Sequence, residues 1–330
     1  MHVPDGFFNV AVSVSAGVVA AAGVAVCLRG AKRELDDRTA PMAGLVAAFV
    51  FAVQMLNFPV VAGTSGHLLG GALAAILVGP YTGVLCIAVV LLVQGLFFAD
   101  GGLTALGVNI TLMGLVTVLV GWGLFRLVTR LARGKAAVVA AAFLAALISV
   151  PASALAFTLL FWLGGTVPIE VSSVAAAMGG VHLLIGIGEG LITAATVSAV
   201  LAVRPDLVYG YRGQAPALVV NGKTAATTPA AEAPRGNARP FLLGGLGVTL
   251  ILAGVVSFFA SADPDGLESV AAERGFDVGV DHLFASWALA DYGDVGGIPV
   301  GVAGIVGVGL TLLIAGGLAY AARRRTAVKA

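Results

Sequence analysis

Two of the chain's four histidines, His2 and His67, stand where they could ligate a metal ion. His2 follows directly on Met1. The free N-terminal amine, the backbone nitrogen of residue 2 and the histidine Nδ1 atom can therefore close two fused chelate rings on one ion. A fourth nitrogen would complete the planar field that suits Ni(II) or Cu(II). Because the amine, amide and imidazole must lose protons, binding should weaken at low pH.

His67 is the candidate for that fourth nitrogen. It ends a segment in which Gly63 and Gly66 permit a tight backbone path. A lone loop histidine is more often a surface group, as is a histidine at position 2. We nevertheless expect His2 and His67 to lie on the same membrane face, which favours ligation. Three polar residues of the segment can support the imidazole by hydrogen bonding: Asn57, Thr64 and Ser65.

The composition places most of the chain in a membrane. Charged residues make up only 11% of the 330 residues and apolar residues 59%, with a mean hydropathy of +1.03. Soluble domains carry roughly 25% charge, so a soluble protein is excluded. Cys27 and Cys86 lie within apolar runs, so we interpret them as small core residues and not as a disulfide.

Apolar runs of about 20 residues, which cross a hydrocarbon core of about 30 Å, recur along the chain. The runs are Phe7–Leu28, Met42–Phe58, Tyr81–Phe98, Thr104–Phe125, Ala136–Leu163, Val181–Val203, Phe241–Ala260 and Pro299–Ala322. A ninth segment, Leu68–Gly79, is too short to span alone, and we expect it to cross as a broken or partly re-entrant helix.

The basic residues orient these segments. With the N-terminus outside, all but Arg274 of the 18 Lys and Arg residues fall on the inside, as the positive-inside rule requires. Omitting Leu68–Gly79 would invert every later segment and break the pattern. The prediction is an all-α, polytopic membrane helical bundle with an extracytoplasmic N-terminus and a cytoplasmic C-terminus. The first run precedes its basic cluster, so we expect an uncleaved helix and not a signal peptide.

The composition also divides the chain. We expect a seven-segment membrane domain over 1–204, a cytoplasmic linker over 205–240 and a two-helix hairpin over 241–330. The linker contains Ala225–Pro234, rich in Ala, Thr and Pro, which is typical of a flexible tether. The hairpin's outside loop, Ser261–Ile298, is acidic. It could draw cations towards the site, but an ordinary solvated loop is the expectation.

Two ionisable residues fall within the predicted span Val181–Val203. A carboxylate inside a span is costly and usually functional or paired. Glu189 could orient a metal ligand or make a polar contact between helices, and the structural role is the expectation. His182, at the outer end of this span, is expected to be a supporting or interfacial residue.

Several motifs resemble those of the CbiM/NikM family, the substrate-capturing S components of energy-coupling-factor (ECF) importers for cobalt and nickel. They are Met1–Phe7 (MHVPDGF), Asn57–Pro59 (NFP), Gly63–Leu68 (GTSGHL) and His182–Gly190 (HLLIGIGEG). This resemblance covers roughly residues 1–205. The hairpin's Pro264-Asp265-Gly266-Leu267-Glu268 is similar to the accessory CbiN/NikN-like component, here fused.

The resemblance implies a ligand set made of the Met1 amine, the His2 amide and imidazole, and the His67 imidazole. Transported Ni²⁺ or Co²⁺ would be the substrate, imported across a prokaryotic cell membrane, with no permanent cofactor. Nothing in the composition suggests a nucleic-acid partner. A transmembrane coupling (T) subunit and cytoplasmic ATPases would be partners, and the chain itself would not be an enzyme. The fused PDGLE motif looks more like the nickel branch, although the ligand set does not choose between the metals.

Two other classes of function remain. A secondary carrier could be driven by protons through Glu189, although such a carrier normally has more than one buried carboxylate. An intramembrane metalloenzyme would need a cluster such as H-E-x-x-H, which the chain lacks. It also lacks the G-x-x-x-x-G-K-[ST] motif of an ATP site, as expected if partners hydrolyse ATP.

Overall fold

The computed structural model describes residues 1–36, 39–61, 63–212, 219–220, 223–224 and 237–323. Its α-helices are α1 Val10–Ala31, α2 Thr39–Gln54, α3 Gly71–Val78, α4 Pro80–Val93, α5 Leu106–Asn109, α6 Thr117–Leu131, α7 Lys135–Gly164, α8 Val171–Val203, α9 Arg239–Gly254, α10 Gly266–Arg274 and α11 Val300–Ala322. Two π-helical segments, Gln94–Phe98 and Ile110–Val116, continue α4 and join α5 to α6. Short 3₁₀ turns are Pro205–Leu207, Tyr209–Tyr211, Val256–Phe259 and Ala290–Gly293. Two antiparallel hairpins pair β1 Phe58–Val61 with β2 Thr64–Gly66, and β3 Val219–Val220 with β4 Lys223–Thr224.

The predicted helical bundle is confirmed. Within the described residues, seven helices are long and apolar enough to cross a membrane. They are α1, α4 with its π segment, α5 joined to α6, α7, α8, α9 with the 3₁₀ turn after it, and α11. Helix α2 is also apolar but has only 16 residues.

The short segment Leu68–Gly79 is broken, as its length suggested. Its helix α3 has eight residues, all buried, and rises only about 12 Å. The β1–β2 hairpin and the non-helical residues His67–Gly70 precede it. Irregular backbone is tolerated at membrane depth only where protein or a water-filled cavity surrounds it, and the buried His67 and Leu68 meet that condition.

Helix α8 begins at Val171, ten residues before the predicted start of the span at Val181. The pair Gly179-Gly180 interrupts the apolar pattern, but the helix continues through it because α8 packs along α7. The prediction that His182 lies at the outer end of the helix is therefore wrong. His182 lies about three turns inside α8, fully buried.

The loop Ser261–Ile298 is solvated only in part: seven of its eight acidic residues are exposed, as expected, but Asp265 and one face of a short helix are buried. It contains α10, whose Leu267 and Val270 are buried together with Phe276. Asp265 begins this helix with a capping box that includes Glu268. Leu267, Val270 and Phe276 share one buried apolar cluster with Phe7 of the N-terminal segment, and the Phe7 and Phe276 rings meet edge to face at 5.9 Å.

The two C-terminal helices pack on the rest of the bundle through small residues. Helices α9 and α11 both contact α2. The backbones of α2 and α11 approach so closely that a Cβ on Gly44 would lie 2.9 Å from the Gly316 Cα. Close approach at small residues is the usual basis of helix association in lipid. The predicted linker segment Ala225–Pro234 lies outside the described residues, as do five of the basic residues used for orientation: Arg38, Arg235, Arg324, Arg325 and Lys329.

Candidate metal site

The first five residues of the chain are fixed by hydrogen bonds before α1 begins. The backbone N–H of Val3 donates to Asn109 Oδ1 at 2.8 Å, and Asn109 Nδ2 donates to the Val3 carbonyl at 3.1 Å. Asp5 accepts from the backbone N–H groups of Thr104 and Leu103 at 2.7 and 3.2 Å. Met1 is consequently only 2% exposed, and its amine points into the protein.

The N-terminal amine meets the His67 imidazole. The Met1 nitrogen is in direct contact with His67 Nε2, although the two residues are 66 positions apart in the chain. His67 Nδ1 lies 3.1 Å from the Leu68 carbonyl oxygen, which can only accept, so Nδ1 carries the proton. In a neutral ring the lone pair would then be on Nε2, the nitrogen that faces the amine, which is the tautomer a metal ligand needs.

His2 lies beside His67, with the two rings stacked at a centroid distance of 4.9 Å. Its Nδ1, the predicted ligand atom, lies 3.2 Å from Asp100 Oδ1, and its Nε2 lies 3.2 Å from Gln94 Oε1. Burial lowers the pKa of His2 to about 4, so the ring is neutral at physiological pH, the form in which imidazole binds metals.

Tyr292, from the C-terminal part of the chain, completes the surroundings of His2. Its hydroxyl donates to Asp100 Oδ2 at 2.5 Å and accepts from Gln94 Nε2 at 3.1 Å. Burial and the neighbouring Asp100 carboxylate raise the pKa of Tyr292 well above its ordinary value. The hydroxyl therefore stays protonated and holds both partners of His2 in place.

Asp265, also from the C-terminal part, reaches the amine directly. Its Oδ2 lies 2.8 Å from the Met1 nitrogen and 3.4 Å from His67 Nε2. Burial alone would raise the pKa of this carboxyl, but the adjacent Met1 ammonium holds it well below the usual range. One anionic oxygen thus borders both of the nitrogens that meet here.

The three polar residues expected to support His67 contact the C-terminal loop. Thr64 Oγ1 is 2.8 Å from Ser269 Oγ, and Ser65 donates through Oγ to the Asp263 carbonyl at 2.8 Å. The Asn57 carbonyl accepts from the backbone N–H of the loop's first residue at 2.8 Å. For the described residues, no hydrogen bond between these side chains and the His67 ring is present.

Glu189 and His182 occupy different places in the site. The two carboxylate oxygens of Glu189 accept from the backbone N–H groups of Leu69 and Gly70, at 2.6 and 3.1 Å. Glu189 thus fixes the backbone just after His67, a connection that the sequence did not reveal. His182 donates from Nδ1 to the Met178 carbonyl at 2.9 Å, and its Nε2 is buried without a hydrogen-bond partner in the described part of the chain.

Side chains alone do not make a metal centre here. In the described residues, no group of three or more His, Cys, Asp and Glu side chains is arranged to hold an ion. The candidate donors are instead mixed: the Met1 amine, the backbone nitrogen and ring of His2, and the His67 ring. Sequence reasoning missed Asp265, Asp100, Gln94 and Asn109. Of these residues, only Asp265 stands in a recognisable sequence pattern. A glutamate follows it three residues later, as in the capping box that marks a helix start.

A polytopic helical bundle in which the N-terminal amine and two imidazoles meet is an arrangement suited to a membrane protein that handles a transition metal. Residues 2–207 match the CbiM family model, described as the cobalt uptake substrate-specific transmembrane region. The chain belongs to this family. Residues 239–324 match the PDGLE domain, so the family domain is fused here to a second one.

Relatives and solved structures agree with this assignment. A cobalt transport protein of Sorangium cellulosum is 36% identical over 215 residues, which cover 63% of this chain and 94% of the relative. A fused nickel transport protein of Rhodobacter capsulatus is 35% identical over 231 residues, covering 65% of this chain and 66% of the relative. A crystal structure of a truncated transition metal transporter is 27% identical with a TM-score of 0.56, covering 61% of this chain and 99% of that one.

Proposed function

We propose that the chain captures Ni²⁺ or Co²⁺ at an extracytoplasmic site and delivers it inward as the substrate-specific subunit of an ATP-driven ECF importer. The observation that carries the proposal is the contact between the Met1 amine and His67 Nε2, with the His2 ring stacked alongside. These groups supply the four nitrogens of the expected ligand set: amine, amide and two imidazoles. Relatives named for cobalt and nickel transport support the choice of cargo.

The proposed orientation rests on the separation of charge between the two ends of the bundle. The site lies near the start of α1, whereas the basic residues Arg29, Lys32 and Arg33 lie at its other end, about 30 Å away by the helical rise. Basic residues mark the cytoplasmic face, so the metal would enter from outside. A cysteine introduced at residue 262 or 263 tests this topology. We expect a membrane-impermeant thiol reagent to label it in intact cells.

The ligand set is tested by the position of the amine. We expect purified protein that begins at Met1 to bind Ni²⁺ tightly in calorimetry, and the same protein with one added N-terminal residue to lose high-affinity binding, because the amine no longer reaches His67. His67→Ala should lose binding as well. A matched control is His282→Ala, which removes an imidazole from the same part of the protein outside the proposed ligand set. Unchanged affinity in the extended protein would reject the proposed coordination.

The proton-driven carrier is disfavoured by the contacts of Glu189. Both of its oxygens already accept backbone N–H groups next to His67, so the carboxylate has a structural task. The two mechanisms differ in a reconstituted assay. The proposed function requires ATP and the coupling and ATPase subunits for Ni²⁺ or Co²⁺ uptake into vesicles, whereas a carrier would move the ion with this chain alone under a proton gradient.

A further inference from the structure

The PDGLE segment, Pro264 to Glu268, is the part of the C-terminal domain that enters the metal site. The backbone N–H of Ser65 donates to the Pro264 carbonyl at 2.8 Å. A Cβ on Gly266 would lie 2.6 Å from Ile185 Cδ1 and 3.2 Å from His182 Cε1, so the segment lies in close contact with α8. Leu267 is fully buried. The segment is therefore seated against the β1–β2 hairpin on one side and α8 on the other.

Asp265 divides its two carboxylate oxygens between two tasks. Oδ1 accepts from the backbone N–H groups of Leu267 and Glu268 at 2.7 and 3.0 Å, which caps α10. Glu268 returns a hydrogen bond by accepting from the Asp265 N–H at 3.0 Å. The cap fixes the plane of the carboxylate, and Oδ2 consequently points at the Met1 amine and His67 Nε2.

We infer that Asp265 is a positioning residue for metal capture: it holds the N-terminal amine against His67 and places a negative charge beside the bound ion. This inference rests on the proposed function, since it concerns the same ligand nitrogens. The fused domain would thereby complete a site whose ligands all come from the first 67 residues. The carboxylate stands beside the Met1 ammonium in the metal-free protein and would stand beside the positive charge of a bound ion.

The sign of the effect distinguishes this role from competition. If Asp265 merely blocked the amine, its removal would tighten metal binding. If it positions the amine and offsets the charge of the ion, its removal weakens binding, by roughly tenfold or more for a lost hydrogen bond to a charged group.

The variants can separate the cap from the site. Asp265→Ser keeps a side-chain oxygen for the α10 cap but removes the oxygen that faces the amine. Asp265→Asn also keeps the cap, and it turns an NH₂ donor towards the ammonium in place of an acceptor. Glu268→Gln is the matched control, because it alters the capping box without touching the ligand nitrogens. All are made in the full chain beginning at Met1.

Calorimetric titration with Ni²⁺ gives the first readout. We expect Asp265→Ser and Asp265→Asn to bind at least about tenfold more weakly than the parent chain, and Glu268→Gln to stay within a few-fold of it. Equal or tighter binding by both Asp265 variants would overturn the inference while leaving the proposed function intact. Absence of binding by the parent chain would reject the proposed function instead.

The second readout needs no metal. In the parent chain the Met1 amine is buried and paired, so an amine-reactive reagent at neutral pH should label it slowly. Asp265→Ser should label faster, and Glu268→Gln should match the parent. Equal labelling of all three proteins would show that Asp265 does not hold the amine, whatever the affinity for Ni²⁺.

Discussion

Glu189 offers a demanding test of how the bundle positions His67. In Glu189→Ala, the backbone N–H groups of Leu69 and Gly70 lose both acceptors in a fully buried place. Each hydrogen bond to a charged group contributes about 1.5–3 kcal/mol, so the pair amounts to about 3–6 kcal/mol by the same rule. Glu189→Gln retains one carbonyl oxygen and should show about half of this loss.

The assay measures thermal unfolding in detergent together with Ni²⁺ affinity. If the backbone after His67 loosens without global unfolding, the binding free energy for Ni²⁺ carries the loss. A loss of about 3 kcal/mol in binding free energy corresponds to a roughly hundredfold weaker affinity. Thr193→Val is the matched control, since Thr193 lies one turn further along α8 and its buried hydroxyl has no partner in the described residues. Glu189→Ala that binds and unfolds like Thr193→Val would refute the structural role assigned to this carboxylate.

Three further outcomes are expected. Asn109→Leu removes both hydrogen bonds to Val3, so calorimetry should show weaker Ni²⁺ binding with unfolding temperature little changed, and unchanged affinity would contradict the role of Asn109 as an anchor. Tyr292→Phe releases Asp100 from its hydroxyl donor and should weaken binding several-fold, whereas Tyr81→Phe, at the opposite end of the bundle, should not. The affinity for Ni²⁺ should fall as the pH is lowered, because the amine and the amide must lose protons before they can bind the ion. An affinity that does not change between about pH 8 and about pH 5 would exclude these nitrogens as ligands.

The sequence predicted the long helices and the pairing of the two histidines for separate reasons. Uniform apolar runs can satisfy their backbone in lipid only as helices, so the eight long apolar runs were readily recognised. The histidines were paired because alternating the segments places residues 2 and 67 on one face. The start of α8 could not be predicted in this way, since Gly179 and Gly180 mimic a helix boundary that packing against α7 overrides.

The partners of these histidines could not be predicted because they carry no distinctive local pattern. Asp100 and Gln94 look like ordinary polar residues at the end of an apolar run, and only the π-helical turn after α4 brings Gln94 to His2. Asp265 is one of eight acidic residues between 261 and 298. A glutamate three residues after Asp265 is typical of a helix start, but nothing in this pattern indicates that the second carboxylate oxygen faces the first residue of the chain.

Two residues of the C-terminal domain contact the residues of the proposed metal site, so packing of this domain and binding of the ion should influence each other. Asp265 belongs to the docked segment and also borders the Met1 amine, and Tyr292 reaches Asp100 beside His2. Coupling between two binding equilibria is reciprocal. On the proposed function, a bound ion should therefore stabilise the docked position of the PDGLE segment to the same extent that docking strengthens metal binding. Substitutions at the Thr64–Ser269 contact, which includes none of the ligand nitrogens, should for this reason alter affinity.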